Sequence, residues 1–320
     1  MFNRLSFTPL PAQTSDPIWR CVRFTAPAVA AAGRMVWRTL AGGESTRCEG
    51  QFLWRMIWCS NRALSRLPRL QPEKKVSDVG LGLRMELDLS RLTDSLAYVF
   101  GAGENDIEAF FRRVAGDQPV VLDVGANIGT TSLIFSRLRP RATIYAFEPS
   151  HHMRAALTRN ITLNRLTNIL VVPLALGNEN VPANLQADHS HNPGSAFVTR
   201  LAGDTPRESI DVVRLDDWLP HHVRVDFMKL DVEGYELRAL QGAEQTLRRS
   251  WPDLIFELNQ IALKRAGTSC DELLAWVRSL GYRTCQITGG RLERFRPLAG
   301  LQNVGAIHPL RHGSLMPNGV

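Results

Sequence analysis

Apolar and polar positions change rhythm several times along this chain, and the rhythm sorts it into elements. Leu83 to Leu89 (LRMELDL) alternates apolar and polar residues with a period of two, which predicts a half-buried strand. Glu104 to Val114 carries Ile107, Phe110, Phe111 and Val114 at helical spacing. Val120 to Val124 is an apolar strand running into Gly125, and a helix follows over Ser132 to Leu138. Thr143 to Phe147 (TIYAF) reads as a second buried strand, Met153 to Leu163 as a helix and Ile169 to Leu176 as a third strand. Phe227 to Leu230 and Leu254 to Leu258 are the fourth and fifth strands, with a helix over Tyr235 to Leu247 between them. A helix over Glu272 to Leu280 stops at Gly281, and Arg283 to Ile287 and Asn303 to His308 close the series. Strands alternating with helices predict an α/β fold, a parallel sheet with helices on both faces. Ligands of such sheets sit outside the carboxyl ends of the strands, where the strand order reverses.

Composition narrows the class without naming a chemistry. The 320 residues are 44% hydrophobic and 22% charged, which excludes a disordered chain, a collagen-like repeat and a disulfide miniprotein. No run of about 18 uncharged apolar residues occurs, so no spanning helix is expected. The net charge of +7 is unevenly placed. Residues 1–72 hold ten arginines against three acids, and the remainder has 28 basic and 28 acidic groups. The chain therefore divides into a basic extension (1–72), a neutral body (73–309) and a short tail (310–320). The neutral body gives no electrostatic case for nucleic acid. Within the extension, Gln51 to Leu70 reads as a basic amphipathic helix suited to peripheral contact with an anionic membrane or a partner; an unstructured extension is the alternative. A signal peptide fits poorly, because the apolar stretch is short and broken by arginines. The five cysteines are odd in number and show neither CxxC nor zinc spacing, so they read as reduced thiols of a cytoplasmic protein. Four lysines against 34 arginines are associated with a GC-rich bacterial genome.

The chemistry concentrates at strand ends. Val120 to Thr130 (VVLDVGANIGT) is a strand, a glycine turn and a helix start. Gly125 and Gly129 let backbone pass close to a ligand. The set is D-x-G-x-N-x-G, not the G-x-G-x-x-G of dinucleotide folds. Asp123 would repel a pyrophosphate and attract a ligand with a cationic amino group, such as S-adenosylmethionine. Glu148, in Phe147-Glu148-Pro149 at the end of the next strand, is placed to accept hydrogen bonds from ribose hydroxyls. Asp226 to Glu236 (DFMKLDVEGYE) brings Asp231, Glu233 and Glu236 to a third strand end beside Lys229. An acid such as Glu236 at a helix start also suits the helix dipole. Glu257 in LIFEL is a fourth acid, costly in a buried strand unless it has a partner or faces the cleft. His151 and His152 follow Glu148, and Asp188 to Ser195 reads as a flexible substrate loop with Ser195 as a contact.

Together these residues resemble the FkbM family of S-adenosylmethionine-dependent methyltransferases. The matching strings are DVGANIG, FEP, NITLN, PLALG, LDDW, KLDVEGYE, ALQGAEQTL and WPDLIFEL, in the family's order and spacing, over roughly Glu73 to Pro309. The resemblance implies a class I methyltransferase (Rossmann-like) fold, a seven-stranded, mostly parallel sheet with an antiparallel last strand. It implies methyl transfer to a hydroxyl of a small molecule, sugar, glycan or polyketide. By the same resemblance, Asp123, Gly125, Asn127 and Gly129 surround the methionine part of the cofactor, Glu148 takes the ribose, Leu174, Ala175 and Leu176 lie near the adenine, and Pro149 is a further cofactor contact. Asp231 and Glu233 line the cleft as candidates for the base that takes the hydroxyl proton, directly or through a divalent cation; no metal ligand set is assigned. Two other classes stay open: an NAD-dependent oxidoreductase, and a non-catalytic binding protein that keeps the fold.

Overall fold

The computed structural model describes residues 74–88, 91, 94, 97–98, 105–187, 196–199, 208–288, 291–296 and 301–312. The expectations for the basic extension, for its amphipathic stretch, for Cys21, Cys48 and Cys59 and for residues 188–195 lie outside these residues.

The chain begins with an antiparallel hairpin, β1 (Lys74–Gly80) and β2 (Leu83–Asp88). Helix α1 (Asn105–Val114), β3 (Val120–Val124), α2 (Thr130–Leu138), β4 (Thr143–Phe147), α3 (His151–Leu163) and β5 (Ile169–Val172) follow. A second group of strands comes next: β6 (Ala175–Leu176), β7 (Val181–Ala187), β8 (Ala196–Thr199) and β9 (Glu208–Val213). Then come α4 (Leu215–Trp218), β10 (Phe227–Leu230), α5 (Glu236–Gln241), α6 (Glu244–Ser250), β11 (Asp253–Asn259), α7 (Gln260–Arg265) and α8 (Cys270–Ser279). Strands β12 (Arg283–Thr288), β13 (Arg291–Arg294) and β14 (Leu301–Ile307) and helix α9 (Pro309–His312) complete the described part.

The principal sheet has the order β13-β12-β14-β11-β10-β3-β4-β5. Neighbours from β11 to β5 are parallel, and β14 runs antiparallel between β11 and β12. This is the expected mostly parallel α/β sheet with its last strand reversed. It has eight strands rather than seven, because the short β13 turns back antiparallel on β12.

Alternation along the strands makes two apolar layers. Val121, Ile144, Phe227 and Ile255 pack with Ile107, Phe110, Phe111 and Val114 of α1 and Phe135 of α2. The Phe111 ring lies 4.3 Å from that of Phe135 and 5.0 Å from that of Phe227. Leu122, Val124, Met228, Leu230, Leu254 and Phe256 face the other way, onto α5, α6 and α8. The β1–β2 hairpin covers α2 and α3 through Val79, Leu83, Met85 and Leu87.

Two sequence expectations change in physical terms. The strand read over Ile169 to Leu176 divides at Pro173, which has no N–H to donate to a ladder. The chain leaves the principal sheet there, and β6 joins a second, four-stranded sheet in the order β6-β9-β7-β8. The helix read over Tyr235 to Leu247 is two helices, broken at Gly242-Ala243.

Candidate active site

Strands β3, β4 and β10 end level with one another beside Phe256 of β11, which runs on to Asn259. Leu230 of β10 lies beside Val124 of β3 and Phe256 of β11, and Val124 lies beside Phe147 of β4. The residues that come next therefore stand in a row across the sheet edge: Glu148, Gly125, Asp231, Glu257. The row crosses the point where the chain, having run outward through β4 and β5, returns to begin β10 on the other side of β3. A doubly wound sheet opens a crevice at such a point. A cavity of about 280 Å³ lies there, and all four residues line it.

The turn after β3 is fitted to this place. Gly125 has φ +81°, and a Cβ on it would stand 2.0 Å from the Asp231 carbonyl oxygen. Asn127 is also left-handed, at φ 52°, a conformation asparagine tolerates better than most residues. Its N–H donates to Glu148 Oε2 at 2.8 Å, and the Ser150 N–H donates to Glu148 Oε1 at 2.8 Å. Glu148 thus ties the ends of β3 and β4 together and keeps further lone pairs for a ligand. Burial pushes its carboxyl up to about 7, although the two N–H groups, Arg154 and Lys229 all favour the charged form.

A buried ion cluster lies under the row. Lys229 sits opposite Asp123 in the ladder. Its Nζ is 3.5 Å from Asp123 Oδ1 and 3.3 Å from Asp231 Oδ2, and it donates to the Gly125 carbonyl at 3.3 Å. Ser132 Oγ, from the first turn of α2, donates to Asp123 Oδ2 at 2.5 Å. Asp123 is fully buried, whereas the Asp231 side chain is 40% exposed.

The turn after β10 is strained where it meets the cavity. Glu233 has φ 54° and Gly234 φ 102°. A non-glycine residue held in this region costs about 1–3 kcal/mol, and such residues gather at functional sites. Glu236 is buried at the start of α5 and accepts the N–H groups of Val232 and Gly234, so it closes this turn. Arg265 of α7 donates to the Glu233 carbonyl at 3.3 Å and stacks 3.8 Å from the Phe197 ring centroid on β8.

Of the residues singled out in the sequence, Gly125, Asn127, Glu148, Pro149, Leu174, Ala175, Leu176, Asp231 and Glu233 all line the cavity. Asp123 and Gly129 lie beneath it; Asp123 meets Lys229, and Gly129 packs against Leu157 of α3. The structure adds Met153 of α3, Tyr235, and Leu185, Ala196 and Val198 from the second sheet. Part of that sheet was legible: Val181, Ala183 and Leu185 alternate with polar or turn-forming neighbours, as do Ile210 and Val212. Directly after the expected Asp188 to Ser195 loop, Ala196–Thr199 form β8.

A family model of the methyltransferase FkbM domain matches residues 123–284, half of the chain. The chain belongs to the FkbM methyltransferase family. The match begins at Asp123 and takes in the whole row of cavity residues. Among relatives, Methyltransferase 1 of Beauveria bassiana is 30% identical over 148 residues, 40% of this chain and 59% of that protein. The 2-O-methyltransferase NoeI of Sinorhizobium fredii is 27% identical over 150 residues, 41% of this chain and 60% of that protein. The hexuronic acid methyltransferase AglP of Haloferax volcanii is 30% identical over 156 residues, 46% and 59% of the two chains. The chain thus spans about three fifths of the length of these relatives. The crystal structure of methyltransferase FkbM from Methylobacillus flagellatus superposes with a TM-score of 0.42 and 16% identity, covering 78% of this chain and 58% of that one.

Other groups in this FkbM domain have structural partners. His152 contacts Arg91, and the His151 N–H donates to Glu208 at 2.6 Å; neither histidine lines the cavity. Among the described residues no cluster of three or more His, Cys, Asp or Glu side chains is arranged to hold a metal ion, and no helix is long and apolar enough to cross a membrane.

Proposed function

We propose that this chain transfers a methyl group from S-adenosylmethionine to a hydroxyl oxygen of a small molecule, sugar or glycan, or polyketide. The observation that carries the reading is the charge of the cavity wall. Among the described residues its lining includes four carboxyl side chains, Glu148, Asp231, Glu233 and Glu257, and no lysine, arginine or histidine. Such a wall favours a cationic ligand and disfavours a pyrophosphate. S-adenosylmethionine fits it, since it has an ammonium and a sulfonium and no phosphate; NAD does not. The 2-O-methyltransferase and the hexuronic acid methyltransferase among the relatives support an oxygen acceptor on a sugar.

When bound, S-adenosylmethionine supplies a methyl group on a positively charged sulfur, and transfer to oxygen leaves a neutral thioether. In this reading Glu148 accepts the ribose hydroxyls, its orientation set by the Asn127 and Ser150 N–H groups. The Gly125 to Asn127 turn holds the amino-acid part, and Leu174, Ala175 and Leu176 flank the adenine. Asp123 and Gly129 act one layer back, Asp123 through Lys229. Asp231 stands between the glycine turn and Glu257 and is our candidate to accept the acceptor's hydroxyl proton as the oxygen–carbon bond forms; Glu233 is the alternative. A positioned base contributes about 10²–10⁴-fold.

Calorimetric titration with S-adenosylmethionine, S-adenosylhomocysteine and NAD in parallel tests the reading. Saturable binding of the first two, abolished in Glu148→Ala, is expected. A folded protein that binds neither, or binds NAD instead, overturns it. Asp231→Asn separates roles: collapse of kcat at constant cofactor Kd marks a base, and a raised Kd marks a holding group.

A further inference from the structure

The acids at the strand ends differ in how they are satisfied. Glu148 accepts two backbone N–H groups, Asp123 is held by Ser132 and Lys229, Asp231 is paired with Lys229, and Glu236 accepts two N–H groups through Oε1. Among the described residues Asp123 Oδ1, Glu236 Oε2 and Glu257 Oε2 are buried without a hydrogen-bond partner, and of these three acids Glu257 lines the cavity. It follows Phe256, which pairs with Leu230, so it stands beside Asp231 at the β11 end of the row, the end away from Glu148. Alternation puts it on the same sheet face as Lys229, whose partner in the ladder is Ile255. The Lys229 charge is already shared by Asp123 and Asp231.

We propose that Glu257 is an acceptor-binding residue, which donates a hydrogen bond to an acceptor oxygen adjacent to the hydroxyl held at Asp231. The inference rests on the methyl-transfer reading of this cavity. It places the acceptor over β10 and β11 and the cofactor over β3 and β4. The electrostatics agree. Burial raises the Glu257 carboxyl far above the ordinary carboxylate range, Asp231, Glu233 and Glu236 push the same way, and Lys229 only partly opposes them. A neutral carboxyl carries an O–H donor, which a carboxylate lacks. A donor at Glu257 beside an acceptor at Asp231 matches two adjacent hydroxyls, one giving its hydrogen bond and the other receiving one. An acceptor bringing a further negative charge to this wall meets repulsion.

The test uses the full chain saturated with S-adenosylhomocysteine, with methyl hexopyranosides of the gluco, galacto and manno series as neutral diol probes. Binding is read by saturation-transfer NMR and titration. At least one glycoside is expected to bind, about tenfold more weakly in Glu257→Ala, the loss of one good hydrogen bond. Glu257→Gln, whose amide still donates, is expected to stay within about threefold of the parent. Both variants are expected to keep their S-adenosylhomocysteine Kd, which also shows that they fold. Glutamine as poor as alanine overturns the donor role. A changed cofactor Kd moves Glu257 into the cofactor cradle and overturns the assignment, as does no glycoside binding by a parent protein that holds S-adenosylhomocysteine. Failure of the parent to bind S-adenosylhomocysteine sinks the methyl-transfer reading itself and this inference with it.

Discussion

Lys229 is the residue on which the sheet edge turns. It is 4% exposed, yet it carries a charge into a layer otherwise built from Val121, Ile144, Phe227 and Ile255. Desolvating a lysine and a carboxylate together is costly, and their attraction repays the cost only when both stay in place. Contacts to Asp123, to Asp231 and to the Gly125 carbonyl help keep Lys229 there. Among the described residues, Lys229→Met leaves Asp123 buried with only Ser132 as partner. We expect a loss of about 3–5 kcal/mol in urea unfolding. The double variant Lys229→Met/Asp123→Asn should recover much of it, because no buried charge is then stranded; strict additivity would show that the two do not act as a pair. Much of the site at this scale was legible, since a carboxylate at the end of an apolar strand is conspicuous. What the sequence does not carry is depth. Asp123 and Asp231 look equivalent in DVGANIG and KLDVEG, and only the ladder shows that one faces Lys229 from within while the other reaches the cavity.

The break between α5 and α6 shows how elements depend on distant residues. The sequence ALQGAEQTL carries helical spacing throughout, so periodicity alone predicts one helix. The structure divides it because Asp216, from α4, caps the second piece. Its carboxylate accepts the N–H groups of Gln245 and Thr246 and the Thr246 hydroxyl, at 2.8–2.9 Å. The Asp216 N–H in turn donates to the Gly242 carbonyl at 3.0 Å. A Cβ on Gly242 would lie 1.8 Å from the Gly177 carbonyl oxygen, so only glycine passes there. No local pattern announces a cap supplied from another helix. Asp216→Ala strands buried donors at a helix start and should cost about 1–3 kcal/mol in thermal or urea unfolding. Because Asp216 does not line the cavity, its cofactor Kd should stay that of the parent; a large rise would tie this cap to the site. The second sheet was missed for the opposite reason. Its first strand, β6, has two residues and follows a proline, so the β5–β6 run looks continuous until Pro173 is seen to end one ladder and start another.

Across the described molecule the acids are sorted by sheet edge. At the amino ends of the strands they have basic partners: Arg311 meets Asp226 at 2.9 Å and Asp253 at 3.4 Å, and His312 meets Asp253 at 2.8 Å. At the carboxyl ends, Lys229 is the cation at the floor of a wall of four carboxyl groups. The equal count of acids and bases after residue 72 hides this sorting, because a sum carries no position. The consequence is a definite pH dependence. Burial raises both Glu148 and Glu236 from 4.5 to about 7, so the folded chain keeps protons that the unfolded chain releases. Their stabilising contribution is complete below about pH 4.5 and is lost as pH rises through about 7. The urea midpoint of the cofactor-free protein should therefore fall from about pH 5 to about pH 8, and the double variant Glu148→Gln/Glu236→Gln should flatten the fall. Cofactor binding should run the other way. A carboxylate that accepts ribose hydroxyls must be ionised, and a cationic ligand lowers its proton affinity. Binding then releases a proton, so S-adenosylmethionine affinity should rise from about pH 6 to about pH 8. Titration in buffers of different ionisation enthalpy should show that proton leaving. An affinity independent of pH, or one that falls, would place the ribose away from Glu148.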